Sequence, residues 1–218
     1  MQYTILKPRV ITQTNPPVLV ILHGYGADEF DLLPISSRLD PLLLTISIQA
    51  PIELAWGGYS WYHLEQTPSG LHGDHKTRIE SEDLLIKELP RMIAKENGDP
   101  NNIYLMGFSQ GAAMCYAIIG RHDLINIGLS VRGVMALSGY VPDDVRESLL
   151  HKDLSDIPFF LSHGIGDELI PPRAMHNAQS ILELAGAKTF AKEYETGHGL
   201  TEETVSDLRN WLEKQLHS

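Results

Sequence analysis

The chain has one cysteine, Cys115, in 218 residues. No intrachain disulfide can form, and this usage fits a reducing, cytoplasmic compartment. Cys115 stands in an apolar helical stretch, where packing rather than reactivity is expected of it. No hydrophobic run approaches the roughly 20 residues of a membrane span, so stable membrane insertion is not expected. Met1-Gln2-Tyr3-Thr4-Ile5 lack the charged segment and long apolar run of a secretory signal. Cations are few: Lys and Arg number 17 against 28 Asp and Glu, a formal net charge of -11. That argues against nucleic acid and anionic membrane surfaces as partners, because phosphate contacts need clustered Lys and Arg. The acidic residues are scattered and read as solvated surface. There is no internal repeat, low-complexity tract or linker. The length suits one domain, 1–218, with a substantial core.

The most informative stretch runs from Asn102 to Met114. Ile103 to Met106 read as a buried strand, and Gln110 to Arg121 as a helix. Between them Gly107-Phe108-Ser109-Gln110-Gly111 is a G-x-S-x-G sequence. A serine on a strand-to-helix turn is held in a strained backbone with its hydroxyl above the sheet. Glycines leave room where strand and helix meet, and the helix start offers free N–H groups beside the serine. Three fixed positions match often by chance, so the motif needs a partner acid and histidine.

Around this stretch, strands and helices alternate. Tyr3 to Lys7 read as an edge strand before Pro8. Val18 to Leu22 are continuously apolar, as in a parallel strand covered on both faces. His23-Gly24-Tyr25-Gly26 follows, a loop whose N–H groups could complete an oxyanion hole; Tyr25 is assigned there together with Gln110. His23 is a buttress of that loop in this reading, not the base. Glu29 to Leu39 are expected to be helical, Leu43 to Gln49 a strand. Ile52 to Arg78 read as a long loop region, with Trp56, Trp61, Tyr62, Leu64 and Leu71 as candidate walls of an apolar substrate groove. The competing role for Trp61 and Tyr62 is to pack the segment down. His72, Asp74 and His75 are weak grounds for a metal site, and none is assigned. A helix capped by Thr77 or Ser81 is expected to kink or break near Leu89, ahead of Pro90. Strands follow at Gly133 to Leu137, Phe159 to Ser162 and Thr189 to Tyr194, with helices near Asp143 to Lys152, Arg173 to Ala185 and Thr201 to Leu216. The connection from Ser138 to Pro158 has no room for a cap domain, which predicts an open, shallow site.

Asp167 lies in a glycine-bearing turn past a strand end, where a carboxylate can fix a histidine tautomer. Glu168, Asp143 and Asp144 are rivals for that role. Of ten histidines only His176, His198 and His217 follow Asp167, and only His198 sits on a strand-to-helix loop. The order Ser109, Asp167, His198 is that of a hydrolase triad on a doubly wound, mostly parallel α/β sheet.

The blocks Leu22-His23-Gly24-Tyr25-Gly26-Ala27-Asp28, Trp61-Tyr62, Gly107 to Gly111, His163-Gly164 to Asp167 with Leu169-Ile170-Pro171, and Gly197-His198 together resemble the phospholipase/carboxylesterase family. That family includes bacterial carboxylesterases and acyl-protein thioesterases. The resemblance implies an α/β-hydrolase fold without a separate cap, Ser109, Asp167 and His198 as the triad, and the Tyr25 and Gln110 N–H groups as the oxyanion hole. Ala27 before Asp28 looks closer to the bacterial esterase branch, and Ile165 stands where many relatives carry an aspartate. The expected activity is hydrolysis of small carboxylic esters, of short to medium acyl chain, through an acyl-enzyme and with no metal or organic cofactor. A lysophospholipase or acyl-protein thioesterase is the nearest alternative. A hydrolase-like binding module without turnover is the alternative of another class. The resemblance is compatible with a homodimer.

Overall fold

The alternation of apolar runs with amphipathic ones builds a layered α/β architecture. The computed structural model describes residues 1–11, 14–67 and 70–217. In chain order the elements are β1 (Tyr3–Leu6), β2 (Val18–Leu22), α1 (Leu33–Ser36), β3 (Leu44–Ile48), the short strands β4 (Ile52–Glu53) and β5 (Tyr59–Ser60), then β6 (Leu64–Thr67) and β7 (Gly70–Gly73). They continue with α2 (His75–Lys95), β8 (Ile103–Phe108), α3 (Gln110–Arg121), β9 (Val131–Leu137), α4 (Asp143–Leu150), β10 (Phe159–Gly164), α5 (Arg173–Leu184), β11 (Thr189–Tyr194) and α6 (Glu202–Leu216).

Seven strands form the central sheet in the order β1-β3-β2-β8-β9-β10-β11. Only β1 runs antiparallel, against β3; every other pairing is parallel. Both faces are covered. Val18, Val20 and Leu22 point into a core shared with α2, α3, α4 and α5. Leu19 and Ile21 point into a second core closed by Leu208, Trp211 and Leu212 of α6. This two-residue alternation on a strand buried on both sides is why β2 reads as an unbroken apolar run.

The same parallel packing brings α3 hard against the sheet. A Cβ at Gly111 would lie 2.0 Å from the Leu22 carbonyl oxygen, so only glycine fits there. At the far side of α3, a charge cluster around the buried Arg78 and Glu82 ties three helices together. Arg78 and Glu82 of α2 pair with each other, Arg121 of α3 reaches Glu82 at 3.1 Å, and Asp144 of α4 pairs with Arg78.

Four expectations are corrected. The helix expected over Glu29 to Leu39 contracts to the single turn Leu33–Ser36. Asp28 is the reason: its side chain accepts from the Phe30 N–H at 2.9 Å and its carbonyl from the Asp31 N–H, an Asx-type turn that competes with helix. The segment Ile52 to Arg78 is not one loop but two small antiparallel pairs, β4 with β5 and β6 with β7, followed directly by α2. That helix starts earlier than expected, because Asp74 rather than Thr77 or Ser81 is the cap, accepting from the Thr77 N–H at 2.8 Å. Nor does it break at Pro90: it runs on, since Leu85 and Leu89 before the proline and Met92 and Ile93 after it are all buried in one core.

Candidate active site

Ser109 sits between β8 and α3 with φ 54° and ψ -114°, a left-handed backbone that L residues rarely adopt. Its own N–H is spent on the Leu137 carbonyl at 2.8 Å, and its carbonyl accepts from Ala112 and Ala113 in the first turn of α3. The hydroxyl is left facing the loop after β11. There the His198 Nε2 lies 2.9 Å from the Ser109 Oγ, and the His198 Nδ1 lies 2.7 Å from the Asp167 Oδ2. The Phe108 ring packs at 5.0 Å from the imidazole, between centroids, and fixes its plane.

Asp167 is buried and fully engaged. Its Oδ1 accepts from the N–H groups of Leu169 at 3.0 Å and Ile170 at 2.9 Å. Its Oδ2 faces His198 and also, at 3.2 Å, the Nε2 of His163. The His163 Nε2 meets the Ile170 carbonyl at 2.7 Å as well, so that nitrogen carries the proton. Burial pushes the Asp167 carboxyl up, but the Ile170 N–H and the two imidazoles outweigh it and hold the group below the ordinary carboxylate value. A charged acceptor on Nδ1 leaves the His198 Nε2 free to accept the serine proton.

The loop after β2 approaches from the other side. A Cβ at Gly24 would lie 3.5 Å from the Ser109 Cβ and 3.0 Å from the Phe108 ring, so the Gly24–Tyr25 peptide borders the hydroxyl. Among the described residues, neither the Tyr25 N–H nor the Gln110 N–H makes a hydrogen bond. Two unspent donors beside a nucleophile at a helix N-terminus can stabilise a developing oxyanion.

The expected groove residues divide. Trp56 is 73 % exposed, its ring 6.4 Å from that of Tyr25, and stands at the rim. Trp61 and Tyr62 are fully buried, so they do not wall a groove. Gln110 is the cause: its side chain accepts from the Trp61 N–H at 2.7 Å and donates to the Tyr62 carbonyl at 2.8 Å, drawing both inward. Leu64 is half-buried against the core, and the Leu71 side chain lies outside the described part. Of the rivals to Asp167, Asp144 pairs with Arg78, and Asp144, Glu168 and Asp143 are all exposed. Asp74 caps α2, and His75 pairs with Asp144 at 2.7 Å. Among the described residues no three His, Cys, Asp or Glu side chains could hold a metal ion together, and no helix is long and apolar enough to cross a membrane. The pairing of His163 with Asp167 is not readable from the sequence. Its spacing of four across a strand end carries no signal that the two side chains meet.

The phospholipase/carboxylesterase family model matches residues 7–216. The chain belongs to the phospholipase/carboxylesterase family. Within it, an acyl-protein thioesterase 1 of Yarrowia lipolytica is 31% identical over 182 residues, 77% of this chain and 74% of that protein. A probable carboxylesterase SOBER1-like of Arabidopsis thaliana is 26% identical over 177 residues, 77% of this chain. The match spans 64% of that relative's own length. Among solved structures, the Bacillus cereus carboxylesterase superposes with a TM-score of 0.82 at 21% identity, over 99% of this chain and 94% of that one. The α/β-hydrolase fold is thereby shared, and the family blocks fall on the turn after β2, the β8–α3 turn and the loops after β10 and β11.

Proposed function

We propose that this member of the family is a serine carboxylesterase in which residues 1–218 form one catalytic domain. The observation that carries the reading is the unbroken relay from the Ser109 Oγ to the His198 Nε2 at 2.9 Å and from the His198 Nδ1 to the Asp167 Oδ2 at 2.7 Å. His198 takes the Ser109 proton as the hydroxyl oxygen attacks the ester carbonyl. The carbonyl double bond opens to an oxyanion held by the Tyr25 and Gln110 N–H groups. His198 then gives its proton to the leaving alcohol as the ester bond breaks, which leaves an acyl-Ser109. A water, deprotonated by the same imidazole, repeats the attack and frees the acid. Asp167 stays ionised throughout and stabilises the imidazolium.

Substrate size follows from what surrounds the relay. The β9–β10 connection holds only α4, eight residues, and supplies no cap. Trp61 and Tyr62, withdrawn into the core, build no long acyl channel. Trp56 at the rim is left to meet the substrate, which favours short to medium acyl chains.

Hydrolysis of p-nitrophenyl esters from acetate to palmitate, with Ser109→Ala as control, tests both parts. Wild-type turnover peaking at short chains, with Ser109→Ala lower by about a millionfold, is the expected result. A peak at palmitate moves the substrate to lipid or acyl-protein thioesters. Residual Ser109→Ala activity within tenfold of wild type removes Ser109 from the mechanism.

A further inference from the structure

A backbone N–H can serve an oxyanion only if its peptide plane is held. The Gly24–Tyr25 peptide stands in a loop with glycine at two positions, Gly26 having φ +80°, so the local chain does little to fix it. We propose that His23 is the residue that fixes it: locked in its Nδ1–H tautomer, it grips the Gly24 carbonyl and so turns the Tyr25 N–H toward the oxyanion. This rests on the esterase reading above.

The His23 Nδ1 lies 2.7 Å from the Gly24 oxygen, which also accepts, at a longer 3.3 Å, from the Ala27 N–H. In a trans peptide the C=O and the following N–H point in opposite directions. Holding the Gly24 oxygen on the His23 side therefore presents the Tyr25 N–H to the opposite side. Which ring nitrogen holds the proton is decided by the neighbouring strand. The Ala50 N–H, just past β3, points at the His23 Nε2 at 3.0 Å. A backbone N–H can only donate, so Nε2 must be the bare acceptor and Nδ1 the donor. The ring is fully buried, with Trp61 against it at 5.6 Å between centroids. Burial outweighs the Gly24 hydrogen bond and the nearby Asp28, Asp31 and Glu29, and holds the ring below the ordinary imidazole value.

The second oxyanion donor is tied to the same assembly. The Trp61 Nε1 donates to the His23 carbonyl at 2.9 Å, and the Trp61 N–H donates to the Gln110 side chain at 2.7 Å. Gln110 supplies the other free N–H. His23 thus acts through the Tyr25 peptide and never touches the substrate.

Two substitutions separate this role from mere packing. His23→Asn places an amide N–H where Nδ1 was and keeps the bond to Gly24. His23→Gln reaches the Nε2 position, keeps a partner for the Ala50 N–H and loses the grip on Gly24. The expected result is a kcat for His23→Asn within about tenfold of wild type. For His23→Gln, kcat should fall by roughly 10² to 10³, as for loss of one oxyanion donor, with KM little changed. Long-range ¹H–¹⁵N correlation on the wild type at neutral pH should show His23 as the neutral Nδ1–H tautomer. This reading needs neither variant to fold. Equal kcat in the two variants with both folded by circular dichroism, or an Nε2–H tautomer, overturns the role of His23 while Ser109-dependent turnover in the wild type keeps the esterase reading. No turnover in the wild type overturns both.

Discussion

At the scale of single residues, Asp167 carries the sharpest expectations. Asp167→Asn keeps the shape but leaves an amide where Nδ1–H needs an acceptor, so the imidazole takes the wrong tautomer. Turnover should fall by roughly 10⁴ at an unchanged fold, read from ester hydrolysis beside the circular dichroism spectrum. The same carboxyl has a signature in stability. Its value in the folded chain lies below the ordinary 3.8, so its stabilisation is complete above that value and is lost as pH falls through the folded one. In urea unfolding, the stability gap between wild type and Asp167→Asn should be full above 3.8 and narrow as pH falls below it. That Ser109, Asp167 and His198 come together was legible in the sequence because each stands just past a strand. The partners that tune them were not. The contact of His163 with Asp167, and that of His23 with the Gly24 carbonyl, depend on side-chain directions at strand ends that no periodicity encodes.

At the scale of elements, the turn around Ser109 depends on close approach of two backbones. Gly111→Ala puts a methyl 2.0 Å from the Leu22 oxygen, and neither β2 nor α3 can retreat from a core packed on both sides. The variant should express mainly insoluble, or melt far below wild type. Gly128→Ala, with φ +79° and nothing within 4 Å of the added carbon, should cost only about 1–2 kcal/mol. The capping box of α6 gives a graded counterpart. Thr201 accepts from the Thr204 N–H at 3.1 Å and Thr204 answers at 3.2 Å, so Thr201→Ala should lose about 1 kcal/mol in urea unfolding. In α3 and β11 sequence and structure coincide to the residue. Where a local side-chain bond competes, as at Asp28 before α1, the helical pattern over-reached. The fate of Trp61 and Tyr62 was open in the sequence because either direction of an aromatic pair satisfies the pattern. The Gln110 side chain decides it from nearly fifty positions away.

At the scale of the whole molecule, four loops from four strands meet at one end of the sheet, which is where parallel α/β architectures place their ligands. The two cores behind them leave the single thiol no access to solvent. Cys115 is fully buried and burial pushes its thiol well above the ordinary range. A disulfide reagent such as dithionitrobenzoate should therefore leave the native protein untouched and titrate one thiol only after unfolding in denaturant. Reaction with the native form at the rate of a free thiol would show that α3 does not pack as described. The backbone of Ser109, with its positive φ, has a further consequence for how this chain can change. Ser109→Gly would relax the turn and give up only the small side chain with its 2.9 Å contact to His198, so the inert protein is expected to be the more heat-resistant one. Laboratory evolution for thermal survival alone would drift toward that glycine, and only a screen that also demands turnover would keep the serine.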